Sequence, residues 1–126
     1  MSIKGKDFLD ASKHCVELTC EAGYRSAISR AYYALYHEIC LTLKKCPPTT
    51  HEGVVLYLTT DARRHDEPYE FMSLVQLGAI LKQQKIKRKK ADYELTETIL
   101  ESEAKSSISV IDQMINKMDI MRSDAA

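Results

Sequence analysis

The chain has 126 residues, which is enough for one domain with an ordinary core and too few for two. Its 18 Lys and Arg balance 18 Asp and Glu. This zero net charge argues against a protein that binds nucleic acid over most of its surface, but it allows a local basic patch. The sequence contains no run of about 18 apolar residues and opens on no signal-peptide core, so we expect a cytoplasmic protein without a transmembrane helix.

The first predicted helix runs from about Lys6 to Glu21, because its apolar residues recur at intervals of three and four. Gly23 is expected to cap its C-terminal end, since glycine readily adopts the left-handed conformation that ends many helices. The connection to the next helix is then very short, which predicts that the first two helices are antiparallel neighbours.

A second helix, from about Arg25 to Lys45, carries the most informative pattern of the chain. One side of it is an apolar stripe: Ile28, Leu35, Ile39 and Leu43, flanked by Tyr32 and Tyr36. On the opposite side Arg30 and His37 lie two turns and about 10 Å apart, with Tyr33 beside them. Surface helices usually oppose an apolar stripe with Lys and Glu, so the pattern predicts a helix covered on both sides that keeps a polar pair for function. The alternative is structural: Arg30 pairs with a carboxylate, and His37 is a core histidine with its hydrogen bonds satisfied.

The third predicted helix covers Glu52 to Thr60 and begins at a capping box that starts with Thr49. Its β-branched residues also fit a short strand, but the chain offers no second strand to pair with it, which favours the helix. We expect His51, at the start of this helix, to be a surface residue. The charged residues from Asp61 to Glu67 are typical of a loop.

The fourth predicted helix begins at Pro68, a residue suited to the first helical position, and ends near Lys85. Gly78 lies on its inner face, where it permits a close approach between helices. The last helix is predicted to begin near Thr98 with a second capping box, and residues 122–126 are expected to fray.

Residues 82–90 hold six basic side chains in nine positions. They are either a solvated helix end and loop or an edge that contacts phosphates. If this stretch contacts phosphates, three of its residues are expected to bind the substrate: Lys85, Lys87 and Arg88. In the acidic segment that follows, Asp92 is expected to pair with Arg88 and anchor the loop, with Tyr93 packed beneath it.

Four cysteines and four histidines are scattered along the chain, and no two cysteines have the C-x-x-C spacing of a zinc site. Reduced thiols are therefore the expected state of the cysteines: Cys15, Cys20, Cys40 and Cys46. The sequence predicts neither a metal site nor a cofactor.

Residues 23–37 resemble the signature helix of the HEPN domain, in which Ser-Arg-Ala-Tyr-Tyr-Ala is followed by an aromatic residue and a histidine. Residues 88–93 are similar to the Arg-x-x-Ala-Asp-Tyr segment that precedes the last helix of that family. The two matches stand in the family's order, and the resemblance covers roughly residues 6–118 of a single domain. It implies an all-α fold, an antiparallel up-and-down bundle of four to five helices, and commonly a homodimer.

Catalytic HEPN proteins are metal-independent ribonucleases whose motif is an arginine, four to six residues and a histidine, and Arg30 and His37 fit this motif with six residues between them. Histidine exchanges a proton near neutral pH, and arginine holds a phosphate and stabilises charge on its oxygens. The resemblance therefore implies attack of the RNA 2′-hydroxyl on the adjacent phosphorus, in a cleft shared by two copies. Tyr33 would stack on a base or bind a phosphate there, unless it only packs the dimer.

Such ribonucleases resemble toxins or defence effectors that an antitoxin, for instance a minimal nucleotidyltransferase, holds inactive. Ala31 follows Arg30 at a position that is often polar in catalytic members. Other HEPN proteins bind a nucleotide, RNA or a nucleotidyltransferase without catalysis. The sequence thus leaves three hypotheses, namely a ribonuclease, a non-catalytic binding module, and a purely structural bundle.

Overall fold

The computed structural model describes residues 3–126 and contains five α-helices, with no strand in that range. The helices are α1 (Gly5–Val16), α2 (Glu21–Thr42), α3 (His51–Thr59), α4 (Phe71–Tyr93) and α5 (Glu101–Ala125), and a short 3₁₀ helix spans Ala62–Asp66. Within the described residues, no helix combines the length and the apolarity that crossing a membrane requires. The prediction of an all-α helical bundle is confirmed.

α2 lies at the centre of the bundle, where it packs against α1, α4 and α5, while α3 packs on α4. Its apolar stripe is buried as predicted, and Leu35, Ile39 and Tyr32 are fully enclosed. Residues from two other helices complete this core: Leu77 and Leu81 of α4, Ile111 and Met118 of α5. Burial of each such side chain contributes about 1.5–3 kcal/mol to folding, so the side of α2 opposite Arg30 is fixed in place by the core.

The turn between α1 and α2 differs from its prediction. α2 begins at Glu21, so that Gly23 lies in its first turn and does not cap α1. The left-handed residue of this turn is Thr19, with a φ of 51°. Gly23 instead permits close packing, because a Cβ atom there would lie 2.5 Å from the carbonyl oxygen of Cys15.

α4 begins at Phe71 and continues to Tyr93, well past its predicted end. The interpretation of residues 82–90 as a helix end and loop is therefore wrong, since this stretch is helical throughout. No glycine or proline interrupts it, and nothing in the local sequence favours a stop before the turn at Glu94. The expected role of Gly78 is confirmed, because a Cβ atom there would lie 2.6 Å from Cγ2 of Thr59 on α3.

α1 ends at Val16, five residues before its predicted end at Glu21, and the remaining ends lie within about three residues of their predictions or extend them. α3 starts at His51, and its N-cap is Thr50, whose hydroxyl accepts a hydrogen bond of 3.0 Å from the Gly53 N–H. α5 starts three residues after Thr98 and is helical through Ala125, so the tail that was expected to fray continues the helix.

Arg25, in the first part of α2, fastens the loop between α4 and α5. Its side chain is buried, and its guanidinium donates to the carbonyl oxygens of Lys90 (3.3 Å), Ala91 (2.8 Å), Glu94 (3.2 Å) and Glu97. The neighbouring carboxylate of Glu21 accepts a hydrogen bond of 2.9 Å from the Ile99 N–H. The carbonyl oxygens of Lys90 and Glu94 also accept backbone N–H groups, so the bonds from Arg25 supply the missing donor to Ala91, in the last turn of α4, and to Glu97.

Candidate functional site

Arg30 and His37 lie on one exposed stripe of α2, together with Ser26 and Leu41. Within residues 3–126 neither Arg30 nor His37 forms a hydrogen bond or an ion pair. The alternative in which Arg30 pairs with a carboxylate and His37 is buried is therefore wrong. The expectation that α2 is covered on both sides is also not met within the single chain, since this stripe faces solvent.

His37 is held by aromatic contacts. Its imidazole stacks on the ring of Phe8 from α1, with ring centres 5.4 Å apart, and lies 6.4 Å from the ring of Tyr33. It forms part of the wall of an open cleft of about 840 Å³ that is also lined by Lys4 and Lys6. One face of the imidazole is thus covered, while the cleft beside it carries positive charge.

Tyr33 joins this stripe to a second set of residues on α4. Its hydroxyl accepts a hydrogen bond of 3.0 Å from Nη1 of Arg88, whose guanidinium also lies 5.4 Å from the ring centre of Tyr32. Arg88 donates to the carboxylate of Asp92 at 3.3 Å, so the predicted ion pair is present. The Ser29 hydroxyl donates to the same carboxylate at 3.2 Å, which connects α2 with α4.

Two residues differ from their predicted roles. Tyr93 does not pack beneath the Arg88–Asp92 pair, because it is 72% exposed. His51 is half-buried and not a plain surface residue: its ring stacks on Tyr36 with centres 3.8 Å apart, and its Nδ1 lies 2.7 Å from the hydroxyl of Tyr32. No signal in the sequence connects His51 with Tyr32, since the contact depends on how α3 is placed against α2.

The protonation of the Tyr32–His51 pair follows from its surroundings. Burial raises the pKa of Tyr32, so its hydroxyl stays protonated and shares a hydrogen bond with Nδ1 of His51. Burial also lowers the pKa of His51, with smaller contributions from the positive charges of Lys85 and Arg88. The imidazole of His51 is therefore neutral at pH 7, and its tautomer decides which of the two groups donates in this bond.

A shallow basic recess of about 530 Å³ lies between the ends of α3 and α4. Six of its lining residues are aromatic or basic: Tyr33, His51, Lys85, Arg88, Lys89 and Tyr93. Of the predicted substrate ligands, the structure brings Tyr33, Lys85 and Arg88 together in this basic recess and leaves Lys87 outside it. Lys85 is paired with Glu52 at 3.3 Å, which leaves Lys89 as the basic residue of the recess without an acidic partner in the described part of the chain.

Cationic, aromatic and imidazole groups thus occupy a continuous surface, from the cleft beside His37 across Tyr33 to the basic recess. Such a surface suits the phosphates and bases of a single nucleic-acid strand. Within residues 3–126, no three His, Cys, Asp or Glu side chains are grouped as metal ligands would be. No protein-family model matches this chain, and no curated protein sequence or solved structure matches it either.

Proposed function

We propose that this chain is a cytoplasmic, metal-independent endoribonuclease of the HEPN type, with Arg30 and His37 as its reacting groups. The observation that carries the proposal is that both side chains are exposed on one stripe of α2 and have no partner within residues 3–126. A guanidinium and an imidazole in this state are available to a ligand, whereas a structural arginine uses its donors inside the fold. The resemblance of residues 23–37 to the HEPN signature supplies the expected chemistry.

Cleavage by this pair follows the transesterification of RNA. His37 takes the proton of a ribose 2′-hydroxyl, the 2′-oxygen attacks the adjacent phosphorus, and the bond from phosphorus to the 5′-oxygen breaks. The departing 5′-oxygen receives a proton, which gives a 2′,3′-cyclic phosphate and a 5′-hydroxyl as products. Arg30 holds the phosphate and stabilises the charge on its non-bridging oxygens.

The neighbouring surface supports this role. Lys4 and Lys6 line the cleft beside His37, and Lys85 and Arg88 line the basic recess on the other side of Tyr33. Lys6, Lys85 and Arg88 are each paired with a carboxylate. Lys4 in the cleft and Lys89 in the recess have no acidic partner within residues 3–126, so they are the lysines available to phosphates on the two sides of the scissile bond.

One arginine and one histidine make a small site, and a homodimer in which two such stripes face one cleft would double it. The resemblance also suggests a biological role, that of a toxin or defence effector restrained by an antitoxin such as a minimal nucleotidyltransferase.

The proposal is tested by incubating the purified protein with a mixture of RNAs in EDTA. We expect fragments that end in a 2′,3′-cyclic phosphate, and we expect Arg30→Ala and His37→Ala each to lower the cleavage rate at least about 100-fold. Arg63→Ala and His14→Ala change an exposed arginine and an exposed histidine elsewhere, and should retain the wild-type rate. Circular dichroism would show that all four variants remain folded.

Two results would contradict the proposal. The first is that the wild-type protein leaves every RNA intact. The second is that cleavage persists unchanged in His37→Ala and therefore comes from another source.

A second candidate function is a binding module that holds a nucleotide or RNA without cleaving it, and the basic recess favours it. Tyr33 and Tyr93 offer aromatic surfaces there, while Arg88 and Lys89 offer positive charge. This function predicts that a short oligoribonucleotide raises the melting temperature of the wild type and of His37→Ala equally, with no cleavage. A matched Lys89→Glu variant should lose the shift, and Lys13→Glu, on α1, should keep it.

A further inference from the structure

The α3–α4 face carries an apolar groove with a basic rim. Its floor includes Leu56 of α3 and Ile86 of α4, which are 58% and 63% exposed. Three lysines line the same groove: Lys82, Lys85 and Lys89. The groove has a volume of about 690 Å³, and Gly78 and Thr59, where α3 and α4 meet closely, also line it.

Most of the positive charge on this rim is not neutralised within the chain. Lys85 is paired with Glu52 at 3.3 Å. Lys82 and Lys89 form no ion pair with any residue in the range 3–126. Exposed apolar floor and uncompensated cations together favour an occupant that is apolar and acidic.

The α4–α5 loop of the same chain has the opposite character. Leu95 and Leu100 are 73% and 57% exposed in it. The carboxylates of Glu94 and Glu97 have no ion-pair partner among the described residues. This loop therefore presents apolar groups that match the floor of the α3–α4 groove and acidic groups that complement its basic rim.

The loop is also held in one conformation. Arg25 donates to the carbonyl oxygens of Glu94 and Glu97, and Glu21 accepts from the Ile99 N–H at 2.9 Å. A segment fixed in this way loses little conformational entropy when it docks, which favours binding.

We propose that a second copy of this chain inserts its α4–α5 loop into the α3–α4 groove, and receives the loop of the first copy in return. The groove reaches Lys89, and the loop begins directly after Tyr93, so the two surfaces lie end to end along α4. A two-fold axis between them pairs each basic groove with an acidic loop. The contact is closed and self-complementary, as in most homodimers.

Lys89 and Tyr93 also line the basic recess that contains Tyr33. The proposed contact therefore adjoins the basic recess of each copy. This link to the recess deepens the proposed function and rests on it, whereas the self-association is measured without RNA.

Sedimentation velocity of the wild type over a range of concentrations tests the association. We expect a monomer–dimer equilibrium, which Lys82→Glu/Lys89→Glu and Glu94→Lys/Glu97→Lys each weaken at least tenfold. Lys13→Glu/Lys44→Glu makes the same charge change at exposed positions outside the groove and should leave the equilibrium unchanged.

Mixing the two interface variants gives the sharper result. In the mixed dimer, the loop of the first variant stays acidic and meets a basic groove, while the basic loop of the second meets an acidic groove. We expect the mixture to dimerise although neither variant does so alone.

A mixture that stays monomeric, or single variants that dimerise like the wild type, would overturn the inference. A wild type that is monomeric at all concentrations would also overturn it, and would leave the groove to an acidic segment of another protein. Cleavage of RNA by such a monomer would leave the proposed function standing, while dimerisation without cleavage would do the reverse.

Discussion

Two arginines of α2, Arg25 and Arg30, lie little more than one turn apart and have opposite surroundings. Arg25 is 8% exposed, and its guanidinium donates to four carbonyl oxygens at the end of α4 and in the following loop. Arg30 is exposed and has no polar partner within residues 3–126. The same type of side chain therefore has two different roles on one helix.

The difference shows how to separate an arginine of the fold from one that is available to a ligand. A guanidinium has five N–H donors in a fixed plane, and those of Arg25 are used inside the fold, on four backbone carbonyl oxygens and on the carboxylate of Glu21. The donors of Arg30 stay unused in the folded chain. Arg88 lies between these extremes, because it is half-buried and paired with Asp92 and still lines the basic recess.

The largest expected effect on stability is that of Arg25→Ala. Its loss removes four hydrogen bonds and leaves the carbonyl oxygens of Ala91 and Glu97 without a donor, whereas those of Lys90 and Glu94 keep backbone donors, so we expect the free energy of unfolding to fall by about 3–4 kcal/mol. Arg30→Ala removes an exposed side chain without polar partners, and should change stability by less than about 0.5 kcal/mol. Urea denaturation followed by circular dichroism measures both.

Hydrogen exchange of the backbone amides of residues 94–100 tests the difference between Arg25 and Arg30 independently. Exchange should accelerate in Arg25→Ala and stay at the wild-type rate in Arg30→Ala. Equal losses of stability in the two variants would contradict the division between them.

An intermediate effect is expected for Arg88→Ala. The variant loses the ion pair with Asp92, the bond to the Tyr33 hydroxyl and the contact with the Tyr32 ring, which together stabilise the fold by about 1–2 kcal/mol. Lys87→Ala, one position earlier on α4, is the matched control and should cost less than about 0.5 kcal/mol. Equal stabilities of the two variants in urea would show that the contacts of Arg88 add nothing to folding.

The helical fold was predictable because its signals are local. The apolar repeat of α2 identified its buried side, and Leu35 and Ile39 are indeed enclosed. The ends of helices were less predictable, since they depend on contacts with distant residues. At the end of α4, Arg25, 65 positions from Lys90 in sequence, donates to the carbonyl oxygens of Lys90 and Ala91.

The candidate site was predictable only where its residues share a helix. Arg30, Tyr33 and His37 were predicted from the spacing on α2, whereas Arg88 and Asp92 were expected to pair in a loop, and they form their ion pair on α4. His51 was missed because its contacts with Tyr32 and Tyr36 join two helices, and no periodic pattern within one helix records such a contact. The burial of Arg25 was missed for the same reason.

The smallest expected effect concerns the dependence of stability on pH through His51. Burial and, to a lesser degree, Lys85 and Arg88 lower the pKa of His51 below its ordinary value of 6.5. Below pH 6.5 the unfolded chain therefore binds the proton more readily than the folded one, so the contribution of the neutral imidazole is complete above pH 6.5 and is lost as the pH falls through the lower folded pKa. We expect the free energy of unfolding to decline over this range in the wild type and to decline less in His51→Gln.

The control is His14→Gln, which replaces an exposed histidine on α1 and should keep the slope of the wild type. Urea denaturation at several pH values between 5 and 7.5 provides the measurement. A slope that is unchanged in His51→Gln would mean that His51 titrates alike in the folded and unfolded chains. Burial and the charges of Lys85 and Arg88 would then not hold the imidazole in its neutral form in the folded chain.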